Sequence, residues 1–164
     1  MDARGGWRAA PGLPGTIDYG ASARKLYTRD RRHGTLAVYA RHQFGDRPLA
    51  SPGQQDITTH VNFSSLARTG HEQGLAVAGY TTQGAFLRRL GVVEVARMLG
   101  LRVYPEADSE RQSDHGQAAL LRRRMLESAA ATLLDPRGLG GFRVLVQQRG
   151  VPNAKHEITG LRRG

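Results

Sequence analysis

Two apolar runs, Leu75-Ala76-Val77-Ala78-Gly79-Tyr80 and Gly141-Phe142-Arg143-Val144-Leu145-Val146-Gln147-Gln148, constrain the fold of this chain more than any other feature. Each is short, apolar and bounded by turn residues, so each reads as a strand, and the second has the clearest strand character in the sequence. Between them the period changes. A helix is expected from about Ala85 to Leu99, with Phe86, Leu87, Leu90, Val93 and Met98 on one stripe and a weak point at Gly91. After a polar break from Pro105 to Asp114, a second helix from about Gly116 to Leu134 turns Leu120, Leu121, Met125, Leu126, Ala129 and Leu133 inward. Asp135-Pro136 ends it. Strand, two helices and strand make an α/β arrangement.

Upstream the organisation is looser. Residues 1–15 carry no period and read as an irregular lead-in. Thr16-Ile17 followed by Asp18-Tyr19-Gly20 resembles the end of a strand opening into a loop, the place where open α/β sheets put their ligands. A short helical or irregular stretch over 21–30 leads to an extended run over 34–39, and turns follow at Asp46-Arg47-Pro48 and Ser51-Pro52-Gly53. Asn62 suits the N-cap of a helix over 63–73, with Gly74 as its stop. Residues 152–164 lack apolar period and read as a frayed basic tail, which leaves 16–150 as the folded domain.

Chemistry concentrates in PGQQDITTHVNF, residues 52–63, where Asp56, Thr58, Thr59 and His60 fall within five positions. In one extended segment, alternation would put Thr58, His60 and Asn62 on one face, with Asp56 at its mouth. Asp18 and Asp56 can equally cap neighbouring N–H groups, and His60, flanked by apolar residues, can equally be a satisfied structural imidazole.

Composition removes several classes. No cysteine occurs, so disulfides, thiolate nucleophiles and cysteine zinc sites are excluded, and the six histidines never fall at the spacings of a zinc helix, so no metal is expected. No apolar run approaches the roughly 20 residues needed to span a bilayer, and no signal-peptide core leads the chain. A soluble, intracellular protein is expected. The formal charge is +10, but only Lys25 and Lys155 among the 24 basic residues are lysine, and the arginines are scattered without interleaved aromatics. A nucleic-acid-binding surface is the weakest reading of that pattern; a solvated face accounts for the run Arg122–Arg124.

In order and spacing, Ile17–Gly20 (IDYG), Gly34–Gln43 (GTLAVYARHQ), Pro52–Phe63, Gly74–Gly91 (GLAVAGYTTQGAFLRRLG) and Gly141–Gln148 (GFRVLVQQ) resemble the C-terminal half of the MidA-like methyltransferases. These S-adenosylmethionine-dependent enzymes include a mitochondrial complex I assembly factor. The resemblance implies half of a class I, Rossmann-like sheet whose final strand is antiparallel. Thr16–Asp18 would end the fifth strand, Leu75–Tyr80 would form the sixth and Phe142–Gln148 the seventh, with a two-helix insertion over about 85–134. It also implies S-adenosylmethionine as donor, an arginine side chain of a protein substrate as acceptor, and a cytoplasmic location in bacteria or a mitochondrial one in eukaryotic relatives. On this reading Asp56 and His60 are catalytic; Asp18 and Asp56 grip the guanidinium, and His60 orients it or relays a proton. Tyr19 walls the acceptor channel, Gln83 fixes polar groups at the next strand end, and Tyr39 and His42 flank the site.

The family's glycine-rich donor loop and its ribose-binding carboxylate have no counterpart here, and the usual aspartate at the end of the 52–63 motif is Asn62. A C-terminal fragment, or a reading frame begun late, is therefore expected, with an exposed sheet edge able to self-associate. Three functions remain open: a methyltransferase or its substrate-side portion, a non-catalytic interaction module that needs a partner, and a basic nucleic-acid-binding protein.

Overall fold

Four consecutive residues, Val144 to Gln147, are buried in the computed structural model, which describes residues 11–41, 43–45, 47–110, 112–151 and 158–161. Successive side chains of a strand leave on opposite faces, so a strand buried at every position is covered on both. The elements that cover it run in the order β1 (Gly15–Asp18), β2 (Gly20–Ala21), α1 (Ala23–Leu26), β3 (Ala37–Ala40), β4 (Gln43–Gly45), β5 (Asp56–Thr58) and β6 (Val61–Asn62). They continue with α2 (Phe63–Glu72), β7 (Ala76–Thr82), α3 (Gln83–Arg89), α4 (Val92–Val103), α5 (Glu106–Ser109), α6 (Asp114–Leu134) and β8 (Arg143–Gln148).

The main sheet has the order β1-β8-β7, and β8 is antiparallel to both neighbours. The last strand thus separates two strands that are parallel to each other. On one face Val144 and Val146 pack with Ala78, Phe86, Val151, Ile158 and Leu161. On the other, Leu145 and Tyr80 lie under α2: Phe63 and Tyr80 have ring centroids 5.5 Å apart, and Gln147 donates to the Ala67 carbonyl. Burying side chains such as Val144 and Leu145 contributes about 1.5–3 kcal/mol each. Two smaller sheets, β2-β6 (parallel) and β4-β3-β5, carry the connection between β1 and α2.

Several expectations are corrected. The insertion between β7 and β8 holds four helices, not two, because Gly91 adopts φ +77° and ends α3 outright, and because α5 forms inside the expected polar break. The inward line of α6 is Gly116, Ala119, Ala130 and Leu134, while Leu121, Met125 and Leu133 are exposed. Small residues there admit close neighbours; of the expected stripe, Leu120 and Leu126 are half-buried beside this line, and Leu121, Met125, Ala129 and Leu133 are not on it. Arg123 then ties α6 to Asp108 of α5 at 2.6 Å. The expected extended segment over 57–62 is split between two sheets. At the chain ends, Gly12 bridges to Arg149, and Ile158 and Leu161 pack into the core, so both the lead-in and the tail contribute to the fold.

Gly20 is fixed by a close backbone approach. β2 runs so near β6 that a Cβ at Gly20 would lie 2.2 Å from the Val61 carbonyl oxygen.

Two stability predictions follow from this packing. Leu145→Ala lowers the free energy of chemical unfolding by about 2–5 kcal/mol, and half-buried Leu161→Ala by about 1–2 kcal/mol, whereas an unanchored tail would give no change for the second. Gly20→Ala lowers the melting temperature, while Gly15→Ala, with nothing within 4 Å of the added carbon, leaves it within a degree or two. Equal effects at the two glycines would contradict the close approach at β2.

Candidate functional site

Because β1 and β7 are parallel, their carboxyl ends emerge on the same side of the sheet. Asp18 and Thr82 both stand opposite Arg143, the first residue of β8. Residues directly opposite in antiparallel pairs share a face, so Asp18, Arg143 and Thr82 form a polar row at the sheet's end. The connection after β1 folds over this row because β2 pairs with β6, which brings 58–62 beside Tyr19. The Val61 amide donates to the Tyr19 carbonyl at 3.1 Å, fixing the approach.

Tyr19 is the hub. Its hydroxyl lies 2.5 Å from Thr58 Oγ1, and its ring meets His60 and Phe142 edge-on, with centroids 5.8 and 5.7 Å away. Asp18 Oδ1 accepts the Tyr19 amide at 2.7 Å, which orients one carboxylate oxygen and leaves Oδ2 for other donors. Arg31 Nη1 lies 3.3 Å from His60 Nδ1. A guanidinium only donates, so Nδ1 accepts and Nε2 carries the imidazole proton. Thr35 Oγ1 accepts the His60 amide and meets Thr59 Oγ1, which pins the backbone of this loop.

The other residues expected from the sequence are distributed around this hub. Asp56 is exposed on β5, two positions from Thr58 and on the same face, directly across from Tyr39 of β3. Tyr39 packs edge-on against Phe44 at 6.0 Å. Asn62 leaves the face expected for it: its Oδ1 caps α2 at Ser65 N, and its Nδ2 donates to the Tyr27 hydroxyl. Gln83 is buried, its side-chain amide bonds the Leu133 carbonyl at 3.3 Å, and its backbone amide bonds Phe142. His42 lies outside the described residues.

Arg143, Phe142 and Arg31 were not singled out by sequence reasoning. Arg143 alternates with apolar residues in a strand and looks like its solvent side, yet its Nε is buried with no hydrogen-bond partner among the described residues. Burial raises the Tyr80 phenol above its ordinary range, and the Arg143 cation opposes that shift. Arg31 belongs to a basic run whose members look alike until β6 brings His60 beside one of them.

No group of three or more histidine or acidic side chains is placed to hold a metal ion among the described residues. The methyl donor implied by the sequence resemblance needs a glycine turn open to a carboxylate-bearing ligand. The glycines after β1 and β7 do not provide it. A Cβ at Gly20 would strike the Val61 carbonyl, and one at Gly84 would lie 3.0 Å from the Leu134 carbonyl, so both turns are filled by the chain's own backbone. The described residues fit an acceptor better than a donor.

Residues 12–81 match a family model described as "Putative S-adenosyl-L-methionine-dependent methyltransferase". Two solved structures from Burkholderia thailandensis are similar over nearly the whole chain. One is an uncharacterized superfamily protein, 30% identical, with a TM-score of 0.74, aligned over 94% of this chain and 37% of its own. The other, of the same superfamily, is described as a "likely methyl transferase" bound to S-adenosyl-homocysteine; it is 30% identical, with a TM-score of 0.70, over 93% of this chain and 35% of its own. No curated protein matches the chain. The chain therefore spans little more than a third of the length of these solved relatives. In sequence over residues 12–81, and in fold over nearly all of its length, it is similar to S-adenosyl-L-methionine-dependent methyltransferases.

Proposed function

We propose that this chain is the acceptor-side portion of an S-adenosylmethionine-dependent methyltransferase whose acceptor is an arginine side chain of a protein, in the respiratory complex I context of the MidA-like enzymes. The observation that carries the reading is the cluster around Tyr19 at the carboxyl ends of two parallel strands, in a chain similar to a structure bound to S-adenosyl-homocysteine. Oriented Asp18 and exposed Asp56 are carboxylates suited to a guanidinium, which they would hold by charge-assisted hydrogen bonds. The Tyr19 ring, braced edge-on by Phe142, supplies an aromatic face against which such a planar cation can lie. With Nδ1 taken by Arg31, His60 presents an Nε2–H donor, which meets the acceptor nitrogen's lone pair once the guanidinium has given up its proton. Removal of a proton from the acceptor nitrogen falls to Asp56, which takes no backbone donor among the described residues. Tyr39, across from Asp56, borders the same face, and Gln83 holds the strand end through its bond to α6.

The donor's own binding groups are assigned to polypeptide other than the described residues, which in the solved relatives is the larger share of the chain. The chain alone is then a non-catalytic partner module, and the two readings meet.

Isothermal titration of S-adenosyl-homocysteine into the chain gives no heat at millimolar ligand, whereas a chimera joining it to the remaining part of the Burkholderia thailandensis relative binds the ligand. Binding by the chain alone would reveal a donor site in it and overturn the division of labour. In the chimera, Asp56→Asn reduces methyl transfer to an arginine-containing peptide by about 10²-fold, in the range for loss of a general base, with ligand affinity unchanged. An unaltered rate would remove Asp56 from the reaction.

A further inference from the structure

Helix α4 carries apolar residues on every side. Its inner line runs through Ala96 and Gly100, and a Cβ at Gly100 would lie 2.9 Å from Arg123 Cγ, so this line faces α6. On the side away from α6, Val95 is 50% exposed, Met98 65%, Leu99 46% and Leu101 42%. A surface helix ordinarily keeps that side polar, and a helix apolar all round is one that is covered. Among the described residues nothing covers this one.

Of the three charged residues of α4, Arg97 lies on one flank, and the other two have a definite symmetry about the outer side. Glu94 lies four positions before Met98 and Arg102 four positions after it, while Val95 and Leu101 lie three before and three after. Neither Glu94 nor Arg102 makes a side-chain hydrogen bond or ion pair with the other described residues. We propose that α4 pairs antiparallel with α4 of a second copy of this chain, with the twofold axis at Met98. In that register Met98 packs on Met98, Val95 faces Leu101, and Glu94 meets Arg102 on both sides of the axis. An isologous contact of this kind satisfies each charge with its opposite and leaves an apolar centre between two charged rims. A parallel pairing would instead bring like charges together. The inference is independent of the proposed activity, because α4 belongs to the insertion between β7 and β8 and contributes no residue to the cluster around Tyr19.

Sedimentation velocity of the chain tests it. The expected species has twice the chain's mass, and Met98→Glu, which places two carboxylates on the axis, returns it to the mass of one chain while circular dichroism stays unchanged. Glu94→Arg and Arg102→Glu each raise the dimer dissociation constant about tenfold or more, as loss of a facing charge pair does, and the double reversal restores it. That restoration is specific to this register. A single-chain mass up to about 100 µM overturns the proposal, since pairing far weaker than the usual micromolar range of specific complexes is not an interface. A dimer indifferent to all the charge reversals also overturns it; that result is the one expected of pairing through the free edge of β1.

Discussion

The arrangement depends on one strand lying the wrong way round. β8 runs antiparallel between β1 and β7, and its four buried residues can be covered on both faces only if those neighbours, α2 on one side and α3 with residues 158–161 on the other, are all in place. Two parallel strands separated by an antiparallel one bring their carboxyl ends to the same edge, and the interposed strand contributes its first residue there. Arg143 thereby enters the polar row with Asp18 and Thr82. Core and site are consequences of the same hydrogen-bond ladder.

The site also depends on a second, smaller ladder. β2 and β6 are two residues each, yet their pairing decides that Thr58 and His60 converge on Tyr19. Such short pairs have little stability by themselves. They are held by what lies on either side: the cap from Asn62 to Ser65 fixes the start of α2, and the Ser64 hydroxyl accepts the Ala23 amide at 3.0 Å, tying α2 to the segment after β2. The chain tolerates no side chain at Gly20 because this junction is closed by backbone rather than by side chains.

Much of this is legible in the sequence where local chemistry decides it. The strand around Val144 to Val146 is visible because its apolar run is short and continuous, and the start of α2 because Asn62 is a strong cap. Legibility fails where a distant partner decides. Gly91 looks like a weak point in one helix, but a left-handed backbone there separates α3 from α4. Ile158 and Leu161 are too sparse to show a period, yet Gly79 and Gly160 leave space that Leu161 and Phe86 fill. In α6 three of the four buried residues are small, so hydrophobicity alone finds Leu120 and Leu126 on the inner side but adds exposed Leu121, Met125 and Leu133 to it. The clustering of Asp18, Tyr19 and His60 is indicated by motif order, but the contacts of Arg31 and Arg143 arise only when β6 and β8 are placed.

The same distinction separates the two exposed apolar features. The outer edge of β1, which pairs with no strand among the described residues, presents backbone groups that any strand could satisfy, and Ile17 beside it is 53% exposed, so continuation of the sheet would cover both. The outer side of α4 presents side chains, with Glu94 and Arg102 disposed symmetrically about Met98. A strand edge selects partners by hydrogen-bond geometry and little else, whereas a helix face selects by shape and charge order. The edge therefore suits more sheet, and α4 suits a partner that repeats its own sequence in reverse; the solved relatives are about two and a half times as long as this chain. Joining the edge to further sheet does not by itself cover α4, which belongs to the insertion between β7 and β8 and packs on α6 and α3. The two surfaces thus call for two different occupants, and satisfying one does not remove the need for the other.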